Sequence, residues 1–232
     1  MGGLAGEAFV GIWHDVVPEK KADFYEWHNR EHMPERVGIP GFRRGRRYLV
    51  ERGAPEYFNL YEVDTMEVLT GQDYLTRLNS PTPLTRHTVA HLRNVSRSLC
   101  RVGASFGCAQ GGTIMTWRLE AADGRMEDLL GYLRREALQT VFERVGILGA
   151  HCGVADRSGS DTMTEERKAR GSVTLMPGVV ILVEGITAGA VETAAEPELG
   201  IHALQSHGAS HDIQCGIYRL ETSRAKTAFS AR

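Results

Sequence analysis

The chain has 232 residues, with 27 Lys and Arg against 29 Asp and Glu for a formal net charge of −2, and 42% hydrophobic content. These values place it among ordinary globular proteins, long enough for one large core or two small ones. The near-neutral balance supplies no basic field of the kind that grips phosphate backbones, so nucleic acid is not an expected partner. The longest apolar run, 173–186, is broken by Pro177, Gly178 and Glu184 and falls short of the ~20 residues that cross a bilayer. With no basic, apolar leader at the start, a cytoplasmic protein without membrane attachment is expected. The cysteines, Cys100, Cys108, Cys152 and Cys215, show no CxxC spacing and read as free thiols.

In chain order, alternation predicts a strand near 8–15, with Phe9, Gly11 and Trp13 on one face and His14 on the other. A helix near 18–31 follows. It starts at Pro18, places Phe24, Trp27, His28 and Glu31 on one face, and is expected to end near His32 because Pro34 disfavours helical geometry at Met33. Gly38, Pro40 and Gly41 turn the chain into strands near 42–51 and 56–63, with Tyr57, Asn59 and Tyr61 sharing a face of the second. A helix near 66–79 and a strand near 95–102 complete a βαββαβ order.

The heptapeptide Glu35-Arg36-Val37-Gly38-Ile39-Pro40-Gly41 returns as Glu143-Arg144-Val145-Gly146-Ile147-Leu148-Gly149, an offset of 108 residues. Around it the second half repeats the pattern, with a long helix over 126–145 and a weaker one near 187–207 that contains Pro197. The expected organisation is a first ferredoxin-like repeat over 1–104, a linker over 105–110, a second, degenerate repeat over 111–222 and a frayed tail over 223–232. Each four-stranded sheet has helices on one face only, so its bare face is expected to be covered by the other half's sheet. The polar segment 156–172 reads as a long solvated connection or, on the functional reading, a lid.

At Trp27-His28-Asn29-Arg30-Glu31-His32-Met33-Pro34-Glu35-Arg36, followed by Pro40-Gly41-Phe42 and Arg46-Arg47-Tyr48, the sequence resembles EthD-like members of the dimeric α+β barrel superfamily. The resemblance implies an α+β fold in which the two repeats form an intramolecular dimeric α+β barrel, that is, a fused tandem form. Relatives of this kind include small-aromatic monooxygenases, isomerases, cyclases and dehydratases, haem-binding members and proteins of unassigned role, so the fold does not choose the chemistry.

Aligned at offset 108, Trp27, His28, Glu31 and His32 meet Arg135, Glu136, Gln139 and Thr140, which puts the working pocket in the first half. His32, at a helix end beside Glu31 and Glu35, is expected to titrate near neutrality and to act as general acid/base, with His28 and Glu31 beside it. Trp13, Trp27, Phe42, Tyr48, Asn59 and Tyr61 are the expected substrate-binding residues. The cluster Arg43, Arg44, Arg46 and Arg47 reads as a solvated strand edge. The His28/His32 and His87/His91 pairs lack a third ligand at a recognisable spacing, and no metal site is expected. A haem would need an axial imidazole, which His32 or His91 could supply, but the sequence carries no positive sign of one, and no cofactor is expected.

The leading expectation is therefore a cofactor-independent lyase or isomerase acting on a small aromatic or enone-like substrate. The alternatives are a non-enzymatic accessory or ligand-binding protein of EthD type, and a small-aromatic monooxygenase or haem-dependent enzyme. A further homodimer is compatible with any of them.

Overall fold

Runs of alternating and β-branched residues form β1 (Ala8–Val16), β2 (Phe42–Gly53), β3 (Tyr57–Val63), β4 (Leu92–Phe106), β5 (Thr113–Ala121), β6 (Ile147–Ala155), β7 (Val179–Gly185) and β8 (Ala209–Ala225). The computed structural model describes residues 3–157, 163–171 and 174–226. Every strand pair is antiparallel, and the order β1-β3-β2-β8-β5-β7-β6-β4 closes into a barrel. The sheets of the two halves do not merely face each other: β2 pairs with β8 and β4 with β6, which removes the exposed edges. No described helix is long and apolar enough to cross a membrane.

Period-2 alternation splits each strand between two cores. Phe9, Trp13, Tyr48, Phe58, Leu60, Ile114, Val180, Leu182 and Tyr218 fill the barrel interior, where the Trp13 and Phe58 rings stack at 4.6 Å. The opposite faces pack against helices. In the second half these are Met126–Tyr132, Leu138–Phe142, Ala188–Leu199 and Ile201–Ser206. In the first half they are Lys21–Trp27, Met33–Gly38, Met66–Thr70, Gln72–Asn79 and Pro83–Val89.

The first helix does not stop near His32 as expected. It runs through a π turn, His28–His32, into Met33–Gly38. The π turn sends the Met33 N–H back to the His28 carbonyl, and Pro34 falls in the first turn of the next segment, where a missing N–H costs little. His32 therefore lies inside a continuous helix, not at a C-terminus.

The heptapeptide match at offset 108 is not the structural correspondence. The left-handed glycine that turns into β2 is Gly41 (φ 85°) and the one that turns into β6 is Gly146 (φ 86°), 105 residues apart. Sheet register agrees, since Phe42 pairs with Val63 just as Ile147 pairs with Gly185.

Strand β4 runs through residues expected in the linker because Phe106 pairs with Ala150, and β8 extends into the expected tail because Ala225 pairs with Arg44. The remainder of that tail, 227–232, lies outside the described residues, as do 158–162 and 172–173 of the polar segment.

Of the arginine cluster only Arg43 is exposed, and β2 is not an edge because it pairs on both sides. Arg46 is fully buried inside the barrel, donating to both Glu184 oxygens at 2.8 and 2.9 Å and to Glu62 at 3.0 Å. Arg44 closes on the same Glu62 at 2.7 and 2.8 Å. Such pairing offsets the desolvation cost of burying these charges.

Candidate active site

The π turn places His28 and His32 on the helix face that meets β1 and β3. There His14, Phe24, Trp27, Asn59 and Tyr61 join them around a cavity of about 30 Å³. Its roof is the helix Glu165–Arg170 from the polar segment, through Glu166 and Arg170. Both roof residues are held by charge: Glu166 pairs with the buried Arg36 and lies 3.7 Å from Arg170.

Hydrogen bonds set the tautomers. Arg47 Nη1 donates to His28 Nδ1 at 3.0 Å, so neutral His28 carries its hydrogen on Nε2 and donates it to Tyr61 Oη at 3.1 Å. The Tyr61 hydroxyl hydrogen is thereby left free for another acceptor. Asn59 Nδ2 donates to His14 Nε2 at 2.9 Å, while His14 Nδ1 donates to the Asp15 carbonyl at 3.3 Å. Three buried atoms among the cavity-lining residues have no partner, His32 Nδ1, Asn59 Oδ1 and the roof's Arg170 Nε. A buried polar atom left unpaired costs about 1–3 kcal/mol, which a ligand or water in the cavity recovers.

The electrostatics run opposite to expectation. Burial, with the Arg36 cation and His28 beside it, holds His32 well below the ordinary imidazole value. Burial and Arg47 do the same to His28, and burial brings His14 down to about 4. All three are neutral at neutral pH, so His32 does not titrate there. Glu31 does not support His32 either, since its carboxylate accepts from the Thr82 and Thr85 hydroxyls. Burial raises the Tyr61 phenol, which stays protonated and remains a donor.

Of the expected site residues, the structure gathers His28, His32, Trp27, Asn59 and Tyr61, with Trp27 and His32 rings 4.3 Å apart. Glu31 is one step back on the threonines. Trp13 and Tyr48 are not in this group, because alternation turns them into the barrel interior. Phe42 packs beside Tyr61 and Tyr74 without lining the cavity. His14, Glu166 and Arg170 belong to the site and were missed. The strand alternation that put His14 opposite Trp13 carried a signal for the first, whereas the roof comes from a remote segment with no local one. Among the described residues no His, Cys, Asp and Glu cluster is arranged to hold a metal ion.

The chain matches no protein-family model, and no curated protein matches it. Its fold is similar to several solved structures. One is an anthrone oxidase-like protein, 10% identical, with a TM-score of 0.65 over 97% of this chain and 95% of that one. A candidate monooxygenase from Fusobacterium nucleatum subsp. nucleatum is 9% identical, with a TM-score of 0.58 over 96% of each chain. Another candidate monooxygenase, from Lactobacillus acidophilus, is 8% identical, with a TM-score of 0.57 over 94% and 95%. The names of these neighbours are oxidative and do not support the expected cofactor-independent lyase or isomerase. The closed eight-stranded antiparallel barrel with helices outside is the fold this chain shares with these neighbours.

Proposed function

We propose that the chain is a monooxygenase of small hydroxyarenes or aryl ketones, working in the first-half cavity. The observation that carries this reading is the set of unsatisfied groups there: the free Tyr61 hydroxyl hydrogen, the unpaired His32 Nδ1 and the unpaired Asn59 Oδ1. Together they suit a substrate with a carbonyl or phenolic oxygen and an acidic hydrogen.

Tyr61 donates to the substrate oxygen, and neutral His32 takes a proton from a ring CH2 conjugated with that carbonyl, which a hydroxyarene presents in its keto tautomer. The resulting carbanion gives its electrons to dioxygen and forms a C–O bond. The peroxide anion takes the proton back from His32, and the hydroperoxide so formed loses water to leave a new carbonyl, so that CH2 and O2 become C=O and H2O. A cavity of about 30 Å³ holds about two water molecules at most, so substrate entry requires the Glu165–Arg170 roof to move.

A haem, the other oxidative alternative, does not fit this donor set. Both nitrogens of His28 and of His14 are engaged, and the His32 ring lies against Trp27, tilted by 37°, in a cavity of about 30 Å³. His91, the other imidazole considered, does not line this cavity.

The finer family reading, an EthD-like fused tandem of two ferredoxin-like repeats, draws support from the strand orders β4-β1-β3-β2 and β8-β5-β7-β6 and from the 105-residue offset between the glycines that open β2 and β6. At that offset the second π turn, Leu133–Ala137, sets Leu133 and Ala137 against His28 and His32, and Leu119 against His14. Sheet register, which pairs Ile12 with Asn59 as Trp117 with Ile181 and Val10 with Tyr61 as Met115 with Val183, sets Ile181 and Val183 against Asn59 and Tyr61. All five are core residues, so the second half has solid packing where the first has polar groups.

Oxygen uptake with anthrone as probe tests the proposal. The expected result is one dioxygen consumed per quinone formed, with the rate lost in His32→Ala. Absence of uptake with anthrone and with a panel of hydroxyarenes, or uptake undiminished in His32→Ala, would refute it.

A further inference from the structure

The barrel interior contains a buried arginine near each end, and the two are treated differently. Arg46 is answered by the carboxylates of Glu62 and Glu184. Arg118 is only 6% exposed, yet no described carboxylate lies within ion-pair distance of it. Its guanidinium donates to the Ala54 carbonyl at 3.0 Å and lies over the Trp13 ring, 5.2 Å from the centroid. Nearby, the buried Tyr218 hydroxyl also has no partner.

Arg118 opens into a cleft of about 720 Å³ at the barrel mouth where β1 ends and β4 begins. The cleft falls within the size range of small-molecule sites, roughly 300–1,000 Å³. Ala54, Pro55, Val95 and Leu175 supply apolar wall, and Asn94 and Gln214 supply amides. Its one carboxylate, Asp15, is already engaged: Oδ1 accepts from the Glu56 N–H and Oδ2 from Asn94 Nδ2. Arg93 donates to the Ala90 and Leu92 carbonyls. On the adjoining rim, Glu120 is held by Arg157 and the Gly178 N–H, and exposed Asp212 faces the neighbouring hollow. Inside the cleft, two guanidinium groups therefore face one carboxylate whose oxygens are spent.

We propose that this mouth is a second binding site, separate from the histidine cavity, for a small apolar molecule bearing a single carboxylate, seated on Arg118. A guanidinium with one face on an aromatic ring still presents an in-plane fork, the geometry that a carboxylate fits with two parallel hydrogen bonds. The apolar wall suits an aryl or short alkyl body. The Asp15 and Asp212 charges at the rim select against a second anionic group.

Isothermal titration of the full chain with 2-naphthoate, and with 2-naphthamide as its neutral isostere, tests this. Naphthoate is expected to bind at least tenfold more tightly than the amide, and Arg118→Gln to remove that difference. Should Arg118→Gln fail to fold, Gln214→Glu, on the partly exposed wall, is expected to weaken naphthoate at least tenfold and leave the amide unchanged. His28→Ala is expected to leave naphthoate affinity unchanged. Equal binding of acid and amide, no binding of the acid at millimolar concentration, a preference that survives both cleft variants, or loss of naphthoate binding in His28→Ala would each overturn the proposal.

Discussion

Tyr61 Oη lies 3.1 Å from His28 Nε2, and because Arg47 occupies His28 Nδ1, the imidazole is the donor and the phenol the acceptor in that contact. The phenol's own hydrogen is thus directed to whatever enters the cavity. Tyr61→Phe is expected to lower kcat on the order of 10²-fold, the usual effect of deleting a preorganised donor. Stability should change by about 1 kcal/mol, the worth of one net hydrogen bond. Steady-state oxygen uptake and urea unfolding on the same preparation separate the two effects, and a wild-type kcat would remove Tyr61 from the chemistry.

His28 and His32 differ in what they hold. His28 is bonded on both nitrogens, whereas His32 Nδ1 has no partner. His28→Ala should therefore cost about 1–3 kcal/mol by stranding Arg47 and Tyr61 groups, and His32→Ala should cost less stability and more activity. Denaturant midpoints against turnover check the order; the reverse ranking would assign His32 a structural role.

Stability should fall on acidification well before the carboxylates titrate. Burial holds His14 and His151 at about 4 in the folded chain. The unfolded chain takes up protons at about 6.5, so between these values it binds more protons than the folded one and gains free energy. Stability is full above pH ~6.5 and declines toward pH ~4, on the order of 3 kcal/mol for each of these two imidazoles over the whole window. His28 and His32, also lowered, act in the same direction. Thermal melts across this range provide the measurement, and a flat profile from pH 7 to 5 would contradict the buried neutral state.

Arg46→Met leaves Glu184 without its bidentate partner inside the barrel. The expected loss is about 3–5 kcal/mol. Adding Glu184→Gln to that variant should recover part of it, because a neutral amide is cheaper to bury than an unpaired carboxylate. A denaturation double-mutant cycle shows whether the two substitutions couple as expected or simply add.

Glu166→Gln removes the carboxylate that holds the Glu165–Arg170 roof to Arg36. Amide exchange in that helix should accelerate, while exchange in Lys21–Trp27 stays as in the wild type. Equal acceleration in both segments would indicate general destabilisation, not release of a roof.

Much of the architecture is local information. The alternation of Phe9, Gly11 and Trp13 against His14, and of Asn59 and Tyr61 against Phe58 and Leu60, follows from the two-residue repeat of a strand. It grouped the residues that share a face, and the barrel then decided that Trp13, Phe58 and Leu60 point inside while His14, Asn59 and Tyr61 point to the helices. Helical spacing grouped Phe24, Trp27 and His28 on one face, but with Glu31, whereas the π turn brings His32 there and leaves Glu31 on the threonines.

Three matters needed the tertiary structure. Pro34 signalled a helix end, but a π turn absorbed it, and whether a helix breaks or widens depends on what its face packs against. The charge state of His32 reversed because burial and Arg36 outweigh the local helix terms that spacing suggests. The left-handed glycines that turn into β2 and β6 stand 105 residues apart, not the 108 of the matching heptapeptide, because those turns are set by strand partners far away in sequence. Arg46 and Arg118 make the same point: nothing adjacent in the chain distinguishes them, and only barrel closure brings Glu184 to the first and leaves the second facing an open cleft.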